Sequence, residues 1–225
     1  GIPSFSSCKE MVNNVELDVV SILTPSGSHY ECCLEALKFG KNVVVEKPIA
    51  LRIEHATKMQ SLADSKNLFL WVALQNRFNP AVVAARKAID TGRLGKLVLG
   101  TVRVRWCRDQ AYYDGDDWHG TWAMDGGVCS QQAIHHIDAL RWLCGPVLKV
   151  RAKTATALVQ MECEDTAVAI LEFKEGALGI IEATTASRPK DIEASVSLLG
   201  EKGTIVLGGL GLNKILTWDF VNPRP

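Results

Sequence analysis

The chain has 225 residues, of which 47% are apolar and 22% are charged, and its 25 basic residues balance 25 acidic ones. A chain of this length holds one or two domains and can bury a core large enough to fold without disulfides or a metal. The zero net charge argues against a basic nucleic-acid-binding surface, and no apolar run is long enough to cross a bilayer. We therefore expect a globular protein with no nucleic-acid or membrane partner.

The cysteines indicate the cellular compartment. There are seven of them, at irregular spacings and with no C-x-x-C pair. In a chain of this size, that pattern favours reduced and mostly buried thiols over a disulfide framework or a zinc site. We expect a cytoplasmic protein.

The first 94 residues alternate between short apolar runs and stretches with helical periodicity. The predicted strands cover residues 17–23, 42–46 and 68–73, and the predicted helices cover residues 29–39, 54–65 and 80–90. Ser28 and Glu31 have the spacing of a capping box, which starts the first of these helices at His29. Strands that alternate with helices imply a parallel sheet, so residues 1–94 are predicted to form an α/β domain.

The pattern changes near Gly95, where apolar and polar residues begin to alternate as in strands with one solvated face. The predicted strands cover residues 98–106, 147–155, 166–173, 178–184, 192–199, 204–207 and 215–220. Residues 174–176 and 200–203 have hairpin lengths, and a helix is predicted over residues 130–143. Residues 95–225 are therefore predicted to form a mainly antiparallel sheet packed on helices, which makes the whole fold α/β plus α+β.

Two segments place polar groups at the ends of predicted parallel strands, where ligands bind in such sheets. Residues 24–29 lead from a strand into a helix N-terminus, which suits a phosphate or forms an ordinary capped turn. Lys47 directly follows an apolar strand and precedes Pro48. Its amine is either an acid/base group in a cleft of low dielectric or a surface ammonium paired with Glu46.

A third segment, residues 126–138, carries an amide, an imidazole and a carboxylate. On a helix, Gln131 and His135 share a face and Asp138 lies one turn beyond His135. A histidine in this setting can carry a proton, and the alternative is a structural histidine. A metal site is not favoured, because the adjacent His135 and His136 point to different sides of a helix.

These motifs occur in a defined order: Thr-Pro-x-x-x-His at residues 24–29, Glu-Lys-Pro at 46–48, and Gly-Gly…His-x-x-Asp ending at 138. Their order and context resemble the Gfo/Idh/MocA family of nicotinamide-dependent sugar oxidoreductases over nearly the whole chain. Residues 75–80, 120–127, 164–169 and 182–185 are most similar to the branch that oxidises C3 of UDP-N-acetylglucosaminuronate in surface-polysaccharide biosynthesis. The resemblance implies that residues 1–94 are part of a dinucleotide-binding Rossmann domain and that residues 95–225 form a substrate and oligomerisation domain.

The resemblance also implies roles for individual residues. Lys47 is expected beside the nicotinamide and the reacting carbinol, and His135 is expected to exchange the hydroxyl proton. The residues implied to contact the cofactor, NAD or NADP, are Thr24, Pro25, His29, Glu46, Lys47 and Pro48. Those implied to contact a sugar or nucleotide-sugar substrate are Asn76, Arg77, Gln131 and Trp122, the last of which could instead be a core residue. No metal is expected, and a homo-oligomer, either dimer or tetramer, is expected through the open face of the second sheet.

Two departures from the family pattern affect these expectations. Gln131 stands where many members carry Asp or Asn, and a neutral amide cannot act as a general base. No G-x-G-x-x-G turn precedes Leu17, and the glycines of residues 208–211 precede another strand rather than a helix. We therefore expect a chain truncated at both ends. The alternatives are a non-catalytic sugar-binding or assembly module without a cofactor site, and a dehydrogenase of the same family that acts on another sugar or polyol.

Overall fold

A computed structural model of the chain describes residues 1–221. These residues form two compact units, one made of residues 1–73 with 121–125 and the other of residues 74–120 with the chain from Gly126 onward. Residues 222–225, the end of the second predicted domain, lie outside the described residues. Among residues 1–221, no helix combines the length and the apolar character that a bilayer span needs.

The first unit is a parallel α/β layer, whereas residues 74–94, which were predicted to belong to it, are part of the second unit. Its elements are α1 (Cys8–Asn14), β1 (Val19–Ile22), α2 (His29–Lys38), β2 (Asn42–Val45), α3 (Ile53–Ser65) and β3 (Leu70–Val72). The three strands pair in the order β1-β2-β3, and both pairings are parallel. Val43 and Val45 alternate inward on β2 and pack on Leu37 of α2 and Met59 of α3. This packing fixes the carboxyl ends of β1 and β2, where the polar segments begin.

The predicted capping box at the start of α2 is wrong. Residues Ser26–Ser28 form a 3₁₀ turn that continues directly into α2, and the side chain of Ser28 makes no capping hydrogen bond. A capping serine needs an extended backbone, whereas Ser28 has helical angles of φ −90° and ψ −7°. The helix nevertheless begins at His29 as expected.

The second unit is a seven-stranded sheet packed on helices, as predicted. Its elements are α4 (Pro80–Asp90), β4 (Leu97–Arg105), α5 (Gln110–Tyr113), α6 (Ile134–Cys144), β5 (Val147–Ala155), β6 (Thr166–Phe173), β7 (Leu178–Thr184), β8 (Glu193–Gly200), β9 (Gly203–Gly208) and β10 (Lys214–Phe220). The strand order is β10-β9-β8-β4-β7-β6-β5. The β4–β7 pair is parallel, and the other five pairings are antiparallel. Both predicted hairpins, β6–β7 and β8–β9, are present.

The two faces of this sheet differ in what covers them. Gly100 on β4 faces the helices, because a Cβ there would meet Leu140 and Cys144 of α6 at 2.7 and 2.8 Å. On the opposite face, Ile170 and its cross-strand neighbour Ile180 are 58% and 43% exposed. The second face is therefore an open apolar surface, which we call the outer sheet face.

The helix that carries His135 begins later than predicted. The expected start was residue 130, whereas α6 begins at Ile134. Val128 donates its N–H to the carbonyl of Glu164, and Ala133 donates to the carbonyl of Val128, five residues back. These bonds hold residues 128–133 in tight turns. Gln131 therefore lies before the helix and not on its face, so the predicted i, i+4 pairing with His135 is wrong.

Candidate functional site

Lys47 lies just beyond the end of β2 and is half-buried. Its backbone N–H bonds Oε2 of Glu46 at 3.2 Å, and its peptide bond to Pro48 is cis. Burial lowers the pKa of the Lys47 amine, and the negative charges of Glu46 and Asp125 oppose that effect in part. An amine with a lowered pKa exchanges its proton more readily than a surface lysine, which favours the acid/base interpretation.

Asp125 is a further charged residue near Lys47, and no sequence motif described above marks it. It is 2% exposed and acts electrostatically on Lys47. Its backbone N–H bonds the carbonyl of Thr121 at 3.1 Å, which closes a turn over residues 121–125. This segment contacts the start of α2, where the Gly27 N–H bonds the carbonyl of Met124 at 3.0 Å. Asp125 lies in one of the stretches that carry the family resemblance, which was the available signal.

His29 connects the two polar segments of the first unit. The ring is buried, with Nδ1 at 2.7 Å from the carbonyl oxygen of Pro48 and Nε2 at 3.0 Å from that of Thr24. A ring enclosed in this way, with a backbone carbonyl oxygen against each nitrogen, has no edge left for a ligand. The expected direct contact with a cofactor does not fit this geometry, and His29 instead positions the chain that follows β1 and β2.

His135 and His136 occupy the first turn of α6 in the second unit. His136 is 1% exposed, whereas His135 is half-buried with its Nδ1 atom enclosed by protein. The two rings therefore have different environments, as expected for adjacent helical positions. Burial, followed by the neighbouring His135, lowers the pKa of His136 to about 4. His136 is consequently neutral at physiological pH, and His135 is the candidate for proton exchange.

The carboxylate of Asp138 accepts hydrogen bonds from Arg77, and not from His135 as the helical spacing suggested. The Arg77 guanidinium donates from Nε and Nη2 to the two carboxylate oxygens at 2.7 and 2.5 Å. This hydrogen bond raises the pKa of Arg77, and the guanidinium also lies 5.6 Å from the Trp142 ring centre. Asp138 thus occupies the Nε/Nη2 edge of the Arg77 guanidinium, and Nη1 takes no part in this pair. Asn76, predicted beside it, is buried.

Trp122 belongs to the first unit, in the turn of residues 121–125. Its side chain is 61% exposed, so the alternative that it is a core tryptophan is wrong. The structure thus joins Thr24, His29 and Pro48 by hydrogen bonds and sets Glu46 and Asp125 near Lys47. In the second unit it joins Arg77 to Asp138, and Gln131 lies in the turn ahead of α6.

Two family models match the chain. Residues 82–206 match the GFO/IDH/MocA C-terminal domain, and residues 1–74 match the oxidoreductase family with an NAD-binding Rossmann fold. The chain belongs to the GFO/IDH/MocA family of oxidoreductases. The resemblance inferred from the three motifs is therefore confirmed, and so is the fold class.

Individual relatives agree with this assignment. The WlbA dehydrogenase from Bordetella pertussis, solved in complex with NADH and UDP-GlcNAcA, superposes with a TM-score of 0.94 at 42% identity and covers 98% of this chain. The levoglucosan dehydrogenase of Pseudarthrobacter phenanthrenivorans is 26% identical over 90% of the chain. The scyllo-inositol 2-dehydrogenase (NAD(+)) of Bacillus subtilis is 28% identical over 89% of the chain. The chain spans 64% of the WlbA chain and 58% of each of the other two.

Proposed function

We propose that the protein is an NAD(P)-dependent dehydrogenase that oxidises a sugar carbinol, namely C3 of a UDP-linked N-acetylhexosaminuronate. The observation that carries this proposal is the half-buried Lys47 amine with its lowered pKa, at the carboxyl end of a parallel sheet. The substrate class is supported by the likeness to the WlbA dehydrogenase, which was solved with NADH and UDP-GlcNAcA.

The residues that follow β1 and β2 fit the nicotinamide end of the cofactor. Thr24 is exposed at the end of β1, and the half-buried Glu46 has a carboxylate that can accept hydrogen bonds from ribose hydroxyls. Thr24, Pro25, Glu46 and Pro48 would hold the cofactor here, and His29 would keep their backbone in place. When bound, the nicotinamide supplies the hydride acceptor.

Side chains of the protein accept the hydroxyl proton and orient the substrate. His135 acts as a general base that takes up the proton of the carbinol hydroxyl, and Lys47 acts as the second acid/base group. Gln131, a neutral amide, orients a substrate hydroxyl without taking its proton. Asn76 and the Nη1 group of Arg77 provide further donors to the substrate, and the exposed Trp122 indole offers an apolar surface.

The outer sheet face supports a homo-oligomer as part of the proposal. Apolar side chains such as Ile170 and Ile180 lie next to charged pairs such as Arg105–Glu182 on this face. A contiguous apolar patch bordered by polar residues is typical of a protein–protein interface. A second copy of the chain is the partner that we propose for it.

Replacement of Lys47 by alanine tests the proposed chemistry. We expect the rate of NADH formation with UDP-N-acetylglucosaminuronate to fall by about 10² or more, because a positioned acid/base group contributes that much to catalysis. Lys58→Ala, an exposed position on α3, is the matched control. A Lys47→Ala protein that folds normally and keeps most of its turnover would refute the role of Lys47.

The same assay distinguishes the alternatives. Parallel reactions with free inositols and hexoses identify a family member with another substrate. Equilibrium titration with NADH, followed by fluorescence, identifies a protein without a functional cofactor site, because such a protein would fold and yet show no binding. We expect NADH binding and a preference for the UDP-linked acid.

A further inference from the structure

A cavity of ≈430 Å³ lies in the first unit, beside the first turn of α2. Ser26, Gly27 and Tyr30 line it from the start of α2, residues 50–52 with His55 line a second side, and Trp122 with Ala123 lines a third. Its volume falls within the usual range for small-molecule sites, roughly 300–1,000 Å³. Lys47 is not among the lining residues, so the cavity is distinct from the reacting amine.

Each of the three sides of this cavity contributes an aromatic ring. Tyr30 of α2 and His55 of α3 stack face to face, with centroids 3.8 Å apart and planes inclined by 12°. Trp122, on the third side, is 61% exposed. Flat ring surfaces of this kind form favourable offset stacks with another planar ring, and tryptophan is on average highly buried in folded proteins. The lining therefore suits a planar heterocycle.

The charge of the cavity favours an anion next to that ring. Arg52 contributes a guanidinium, and no lining residue is an aspartate or a glutamate. Within residues 1–221, no carboxylate forms an ion pair with Arg52. A guanidinium without a carboxylate partner is suited to bidentate binding of a phosphate. Arg52 also lies five residues beyond Lys47, so a ligand held here lies close along the chain to the reacting group.

We propose that this cavity binds the nucleoside diphosphate portion of the substrate. The base stacks on the aromatic surfaces of Trp122 and the Tyr30–His55 pair, and the diphosphate pairs with Arg52. The inference rests on the proposed function, which supplies a UDP-linked substrate, and it adds the residues that recognise the nucleotide. A base joined to phosphate also occurs in the adenosine half of the cofactor, so the test must separate the two sources.

Calorimetric titration of the 225-residue chain with UDP, ADP and NADH distinguishes binding of the substrate nucleotide from binding of the cofactor. We expect Arg52→Ala to weaken UDP binding about tenfold or more, because a charge-assisted hydrogen bond is lost, and to leave NADH affinity unchanged. Tyr30→Leu should weaken UDP binding as well, since it removes a stacking ring. Arg141→Ala, at an exposed arginine of α6, is the matched control and should bind UDP like the wild type. Unfolding temperatures of the variants establish that each one is folded.

Three results would overturn the assignment. Equal UDP affinity in the wild type and in folded Arg52→Ala would place the nucleotide elsewhere. A loss of ADP or NADH affinity, with UDP unaffected, would assign the cavity to the cofactor. Absence of UDP binding by the folded wild type would show that the cavity does not hold the nucleotide, whereas the substrate class is tested by the turnover assay. Lys47→Ala should bind UDP normally, so a failure of the proposed chemistry and a failure of this site give different results.

Discussion

His136 makes the stability of the second unit depend on pH. Its ring is 1% exposed and packs edge-on against Trp106, with centroids 5.8 Å apart. Within residues 1–221, neither ring nitrogen has a hydrogen-bond partner. Burial, followed by the charge of His135, lowers the pKa of His136 from 6.5 to about 4. Protonation is therefore much less favourable in the folded protein than in the unfolded chain.

This difference predicts a loss of stability in mild acid. Between about pH 6.5 and 4 the unfolded chain binds a proton that the folded protein does not, so the free energy of unfolding falls as the pH falls, by at most about 3 kcal/mol. Urea unfolding of the wild type and of His136→Phe over this range measures it. We expect the variant to show a shallower pH dependence. Equal slopes in the two proteins would mean that His136 is not the group responsible.

We expect the charge of Asp125 to affect the pKa of the Lys47 amine. The negative charge of Asp125 raises the pKa of Lys47 and so opposes the effect of burial. Asp125→Asn removes that charge, and we expect the pKa of Lys47 to decrease further. The rate of amine labelling at Lys47 as a function of pH, read by mass spectrometry, gives this pKa without relying on turnover. Asp18→Asn, at an exposed carboxylate, is the control and should leave the labelling profile unchanged.

Single residues could be predicted from the sequence where local pattern decides their environment. Lys47 follows a β-branched run and precedes a proline, which is enough to place it at the end of a buried strand. Asp125 has no such local signal, since its burial depends on the contact between its turn and the start of α2. The pairing of Arg77 with Asp138 joins positions 61 residues apart, and no periodicity encodes that distance.

At the scale of elements, Gly27 couples the start of α2 to the turn of residues 121–125. A Cβ on Gly27 would lie 2.3 Å from the carbonyl oxygen of Ala123 and 2.6 Å from Met124 Sδ. Gly27→Ala must therefore displace this turn, and we expect a loss of about 1–3 kcal/mol in the free energy of unfolding. Denaturant unfolding measures the loss.

A second glycine provides the control for this prediction. A Cβ on Gly115 would be 3.5 Å from the nearest atom, the carbonyl oxygen of Tyr112, which is an ordinary contact. Gly115→Ala should therefore change stability by less than about 0.5 kcal/mol. If the two substitutions destabilise the protein equally, the contact of the added Cβ with Ala123 and Met124 is not the cause of the loss at Gly27.

Element limits were predictable where breakers and hairpin lengths mark them. Pro80 starts α4 and the turns at residues 174–176 and 200–203 close hairpins, as expected. The helix of residues 130–143 was predicted to start too early, because its first residues bond in turns that involve Glu164. The short α1 was not predicted at all. None of its seven residues is fully buried, and its apolar face is short: Cys8, Met11 and Val12 pack against the core of the first unit.

At the scale of the whole molecule, strand existence was predictable and strand pairing was not. Alternation identified each strand of the second sheet, and hairpin turns identified two of its antiparallel pairs. The central β4–β7 pair is parallel and joins residues about 80 apart, such as Leu99 and Leu178. Such a pairing depends on long-range packing in the core of the second unit and not on any local signal. The fold class was therefore derivable, but the strand order was not.

The outer sheet face gives the prediction that concerns assembly. Ile180 lies on this face between Ile170 of β6 and Thr101 of β4, and it is 43% exposed in the single chain. Because its side chain points away from the helices, Ile180→Lys should leave the fold intact while placing a charge in the proposed interface. Burial of an unpaired ammonium between two copies is strongly unfavourable. We expect the variant to sediment as a monomer under conditions in which the wild type is an oligomer.

The control for assembly is another exposed isoleucine outside this face. Ile53, at the start of α3 in the first unit, is 83% exposed, and Ile53→Lys introduces the same charge. We expect Ile53→Lys to keep the oligomeric mass of the wild type in sedimentation velocity and light scattering. If both variants and the wild type have one mass, the outer sheet face is not the interface. Its exposed apolar rows would then require a different partner, because an uncovered patch of this kind favours association.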